Sequence, residues 1–230
     1  MRRVKKMAMG VFLISQALTG GAYAADITLT GTNVDFTYDD TLVGLFGQPT
    51  VAGDTLFFTP VDFQAQSLNG AGFAFTNDTI NIKVTAHSGW AFDSVDLLER
   101  GDYLLLGAGS TADVSGQVRV FDTAMPLMDL TSNITPVSPL NLAGVPTKNW
   151  TAKASVDVSA WDTASTLNVT VENLLLTSTS APTSLAFLEK KFVGLSLGTI
   201  AATPVPEAET YLMMLAGLGL VGLMVSRRRM

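Results

Sequence analysis

Three stretches of this chain alternate apolar and polar residues with a period of two. In the first, Ile80, Ile82, Val84 and Ala86 are separated by Asn81, Lys83 and Thr85. In the second, Trp150, Ala152, Ala154, Val156 and Val158 fall on one side, with Thr151, Lys153, Ser155, Asp157 and Ser159 on the other. In the third, Leu167, Val169 and Val171 alternate with Asn168, Thr170 and Glu172. Side chains leave a strand on alternate faces, so this pattern sets one face on a core and the other in water. It is the pattern of an antiparallel sheet solvated on one side.

Turn signals punctuate these runs at Gly31–Asn33, Gln48-Pro49, Ala52–Asp54, Asn69-Gly70, Ser88-Gly89, Gly107–Ser110 and Ala143–Pro146. They delimit ten expected strands, near 26–36, 55–66, 72–76, 79–87, 90–98, 102–106, 113–122, 149–159, 166–177 and 184–199. Many short strands and no capped helical stripe between them predict an all-β, antiparallel β-sandwich of jelly-roll-like kind. Arg100-Gly101-Asp102 reads as the turn of a hairpin, through the turn chemistry of Gly-Asp. The segment from Pro126 to Pro146 holds four prolines and little alternation, so a long loop or irregular crossover is expected there.

The ends of the chain differ from this body. Arg2, Arg3, Lys5 and Lys6 precede an apolar run from Met7 to Leu18, and Ala22-Tyr23-Ala24 supplies a small-x-small cleavage site before Ala25. Residues 1–24 therefore read as a cleaved secretory signal peptide, with Ala22, Ala24 and Ala25 at the cut. Residues 25–203 form the expected domain, and residues 204–230 a separate tail. Between 26 and 204 there are seven basic residues against eighteen acidic ones, a net of −11, although the whole chain carries only −6. Such a body repels nucleic acid and anionic lipid. It has no cysteine, which excludes disulfides, thiolate catalysis and cysteine-ligated metals, so packing and sheet hydrogen bonds must supply its stability.

The tail opens with Val205-Pro206-Glu207, continues as an apolar run from Tyr211 to Val225, and closes on Arg227-Arg228-Arg229. Fifteen apolar residues make about 22 Å of helix, short of the ~30 Å hydrocarbon core. Tyr211 at one interface and snorkelling arginines at the other still permit a thin transmembrane helix. Ala216, Gly219 and Gly222 fall three apart in this span, which also holds Gly217, and leave a small-residue stripe where another helix can approach. Arginines after the span favour the cytoplasmic side and leave the body outside. These residues resemble the PEP-CTERM sorting signal of exopolysaccharide-producing Gram-negative bacteria, with Pro206-Glu207-Ala208 in place of Pro-Glu-Pro. The resemblance implies recognition and cutting by exosortase, with an inner-membrane intermediate before release to the surface or matrix. It covers the tail and says nothing specific of the body.

Candidate chemistry in the body is sparse. His87 is the only histidine and no nucleophile elbow accompanies it, so a structural role at a strand end is expected. The acids come as Asp39-Asp40, Asp93 with Asp96, and Glu99 with Asp102; Asp35, Asp39 and Asp40 are candidate oxygen ligands for calcium, and no other cofactor is expected. Of the three tryptophans, Trp161 lies at a turn and is the candidate sugar contact, whereas Trp150 belongs on a core face. The residues predict an exported, non-enzymatic structural or binding component, and the resemblance of the tail implies its association with exopolysaccharide. The alternatives are a carbohydrate-active enzyme using paired carboxylates, and a periplasmic binding domain permanently anchored in the membrane.

Overall fold

A computed structural model describes residues 26–202 and 208–227. The signal-peptide reading, with Ala22, Ala24 and Ala25, lies outside the described residues, as do Val205, Pro206, Glu207, Arg228 and Arg229. Thirteen strands are described: β1 Asp26–Thr30, β2 Val34–Asp39, β3 Thr50–Ala52, β4 Thr55–Phe58, β5 Gln64–Leu68, β6 Gly72–Ala86, β7 Trp90–Leu106, β8 Ser110–Asp122, β9 Asp129–Asn133, β10 Thr135–Pro136, β11 Lys148–Asp157, β12 Thr166–Thr179 and β13 Leu185–Ala201. They pair antiparallel in two sheets. The first runs β1-β2-β6-β12-β8-β9, and the second β10-β11-β7-β13-β4-β3, with β5 also on β13.

The alternation becomes the two faces of these sheets. In β12, Leu167, Val169, Val171 and Leu175 are buried, and in β11 so are Trp150, Ala152, Ala154 and Val156. One continuous apolar cluster draws on both sheets and is anchored by Phe36, Phe46, Phe58, Phe63 and Phe92. Phe46 meets Phe58 and Phe63 edge-on, with ring centres 5.6 and 5.7 Å apart, the arrangement aromatic quadrupoles favour. Chain order repeatedly crosses this core, since β6, β7 and β8 alternate between the sheets, as do β11, β12 and β13.

Two expected breaks are absent. Strand β6 is continuous from 72 to 86, because Asp78 turns its carboxylate to the Leu45 amide (2.5 Å) and serves a neighbouring turn. Strand β7 runs straight through Arg100-Gly101-Asp102, which is no hairpin. Gly101 is there for close approach: a Cβ at this position would lie 1.9 Å from the Glu189 carbonyl oxygen and 2.7 Å from Trp150 Nε1. The expected irregular crossover from 126 to 146 contains two short strands, β9 and β10, which carry the chain from the first sheet to the second.

The tail is helical from Ala208 to Arg227, here α1. A C-terminal transmembrane helix was expected, yet among the described residues no helix is long and apolar enough to cross a membrane. The physical reason is the short apolar run, which starts only after Glu209 and Thr210 and is diluted by Gly217, Gly219 and Gly222.

Candidate functional site

A polar cluster sits inside the core between the sheets. Lys190, Glu99 and Asn173 are all 0 % exposed. Lys190 Nζ donates to Glu99 Oε2 at 2.7 Å and also contacts the side-chain amide of Asn173. The Phe63 ring covers the amine, 5.0 Å from its centre, and the Phe63 carbonyl accepts the Lys190 backbone N–H. Glu99 Oε1 and Asn173 Nδ2 are buried without a hydrogen-bond partner among the described residues. Burial drives the Lys190 ammonium below its ordinary pKa, against the opposing pull of Glu99.

Strand geometry explains how three polar side chains reach one point. Asn173 lies on the inner face of β12 in series with Val169, Val171 and Leu175, and Glu99 continues the inner face of β7 after Val95 and Leu97. Lys190 is aimed inward by a β-bulge. Up to Lys190, which pairs with Gly101, the even-numbered residues of β13 face the core; beyond Phe192, which pairs with Arg100, the odd-numbered residues Val193, Leu195 and Leu197 do. The extra residue, Lys191, points outward and contacts Asp102, with Glu189 3.5 Å away. Glycines give the cluster room, since Gly101 is the register partner of Lys190 and Gly116 that of Asn173.

Glu99 and Asn173 are detectable in the sequence as polar residues on the apolar parity of their strands, whereas the bulge hides Lys190. In the residue order Glu99 stands only as a companion of Asp102. Those two acids stand on opposite faces of β7, one buried and one outward, and cannot share a substrate. Asp96 accepts hydrogen bonds from Ser94 and Ser155 on the outer face. There, an open groove of about 520 Å³ sets Asp96, Ser132, Asn133, Thr135, Lys153 and Ser155 on a mostly apolar wall that includes Leu97, Leu98 and Ala154.

His87 is at the strand end where it was expected, in the turn from β6 to β7. Its Nε2 meets Asp35 Oδ1 at 3.1 Å and its Nδ1 lies 3.1 Å from the Thr32 carbonyl oxygen. The contact raises the His87 pKa and lowers that of Asp35. Asp39 is committed locally, accepting the Thr41 amide at 2.9 Å. Asp35 and Asp39 stand four positions apart on one strand, about 13 Å, so the candidate calcium ligands do not converge. Among the described residues no group of three His, Asp or Glu side chains is placed to hold a metal ion. Trp161 is partly buried and packs on the core, and Trp150 is buried with Nε1 donating to the Glu189 carbonyl at 3.1 Å. Trp90 is the most exposed of the three tryptophans, at 38 %.

In α1, Met213, Met214, Leu215, Leu218, Leu220 and Met224 are exposed, and nothing surrounds Gly217 or Gly219. Among comparisons with known proteins, no curated protein matches the chain. A solved structure of infectious bursal disease virus, Gt strain, is similar over 74 % of this chain at 13 % identity and a TM-score of 0.19; the chain spans about half of it, 47 %. A likeness that slight carries no argument about the fold. The specific match is in the tail, where a family model for the protein-sorting motif coincides with Val205-Pro206-Glu207, the apolar run and the arginines. The chain carries a PEP-CTERM protein-sorting motif at residues 204–229.

Proposed function

We propose that this chain is a non-enzymatic structural or binding component of the cell surface or an exopolysaccharide matrix, with residues 1–24 as its export signal. The observation that carries the reading is the sorting motif, which implies recognition by exosortase and passage by way of the membrane to the surface. Helix α1 supports it, because its run of exposed Met and Leu side chains requires an apolar surrounding or a protein partner. The shortness of its apolar run, Tyr211 to Val225, suits a span that is bound and cut rather than a permanent anchor. The body, which we read as a jelly-roll-like sandwich, offers the open groove beside Asp96 and Lys153, polar groups set on an apolar wall, as a surface for hydroxyl-rich chains. This role calls for no catalytic residue and no cofactor.

The mature C-terminus tests the sorting step. Mass spectrometry of protein from the producing cells should find a cut near Pro206, and deletion of exosortase should leave the tail intact. An intact tail in both strains overturns the reading. Retention on isolated matrix polysaccharide, weakened by Lys153→Ala with Asp96→Ala, tests the binding role; no retention by the unaltered protein rejects it.

A further inference from the structure

We propose that Lys190 and Asn173 join covalently, the lysine amine and the asparagine side-chain amide forming an intramolecular isopeptide bond with Glu99 as the proton carrier. The bond ties β13 of the second sheet to β12 of the first across the core. Three observations converge on it. The amine touches the amide, the carboxylate is hydrogen-bonded to the same amine at 2.7 Å, and all three groups are sealed from water.

The environment supplies what amide exchange needs. An amine attacks a carbonyl carbon only when neutral, and full burial beneath the Phe63 ring disfavours the ammonium. Exclusion of water also removes the competitor that would hydrolyse the amide. The two orphan groups fit the same reading: Asn173 Nδ2 leaves as ammonia, and Glu99 keeps an oxygen free to handle a second proton.

The step balances without a cofactor. One proton passes from Lys190 Nζ to Glu99, giving a neutral amine beside a carboxylic acid. The Nζ lone pair forms a bond to Asn173 Cγ and drives the carbonyl π-electrons onto Oδ1. Glu99 gives its proton to Nδ2 and takes another from Nζ. The oxyanion then re-forms the carbonyl, the Cγ–Nδ2 bond breaks, and one ammonia departs with the bonding pair. Nζ retains one hydrogen as the new secondary amide, and Glu99 ends protonated. The product holds neither a buried ammonium nor the unpaired Nδ2, so the reaction relieves the most expensive features of the unreacted core.

The test is the mass of the full chain and of its fragments. Chymotrypsin cuts at the leucines and phenylalanines between the two residues. In the unaltered protein, the fragment containing Asn173 should stay attached to the one containing Lys190, and the pair should weigh one ammonia less than its parts. Glu99→Gln keeps the shape but cannot relay protons, so a folded Glu99→Gln chain should give the two fragments separately, as should Lys190→Met. A folded, unaltered chain that yields both fragments separate and unmodified overturns the proposal, whether or not the variants fold. So does aspartate at position 173 beside a free lysine, which would mean hydrolysis in place of cross-linking.

Discussion

At the scale of single residues, the chain separates a surface ion pair from a buried reactive one. His87 and Asp35 are each about a third exposed, and their contact raises one pKa and lowers the other. A raised histidine pKa contributes stability that is complete below its unfolded value, near 6.5, and is lost as pH rises through the folded value. The lowered Asp35 contributes above its unfolded value of 3.8 and is lost as pH falls through the folded one. Both contributions are therefore present between 3.8 and 6.5. Thermal melts across pH should show the gap between the unaltered chain and His87→Gln widest in that window, narrowing above neutrality and in strong acid. Lys190 behaves differently. A cross-link closing a loop of about 17 residues is worth about 3 kcal/mol on the chain-entropy estimate. For a domain of this size that is about 6–12 °C in Tm, the drop a folded Glu99→Gln chain should show by calorimetry.

At the scale of elements, the long strands were legible in the sequence, whereas their continuity and the short strands β3, β9 and β10 were not. Alternation located β6, β11 and β12, because a half-buried strand writes its two faces directly into the residue order. The break expected within β7 rested on turn chemistry at Gly101-Asp102, and local chemistry cannot see what packs against a glycine from a distant strand. Gly101 serves an approach by β11 and β13, about 50 and 90 residues away in the chain. Lys190 was hidden for a related reason: a bulge shifts the parity of β13 by one, and a bulge leaves no mark in the alternation until its partner strand is known. Glu99 and Asn173 were readable in principle, as polar residues on apolar parity. Gly101→Ala tests the close-approach account. The added methyl meets a backbone carbonyl that cannot rotate away, so a loss near the upper end for overpacking, about 3 kcal/mol, is expected in denaturant melts. A loss under about 0.5 kcal/mol, the range of a surface change, would mean the glycine is incidental.

At the scale of the whole molecule, the tail and the body answer separate questions. The tail motif was fully legible, since a sorting signal is read by its receptor as a linear series of motif, apolar run and arginines, and a linear series is what a sequence displays. The body's binding surface is assembled from strands that meet only after folding, so the groove beside Asp96, Ser132 and Lys153 has no counterpart in residue order. A cysteine-free chain bound for the outside has no disulfide to hold it together, and the Lys190–Asn173 link would fill that role with a bond that reductants do not break. The two parts should therefore be separable. A chain ending at residue 203 keeps all thirteen strands and the buried cluster, and loses only the segment that exosortase recognises. Expressed in the producing cell, it should accumulate in the periplasm with the melting temperature and fragment masses of the processed full chain. Delivery of the truncated chain to the surface would show that sorting information resides in the body. A lowered melting temperature would show that the tail contributes to the fold.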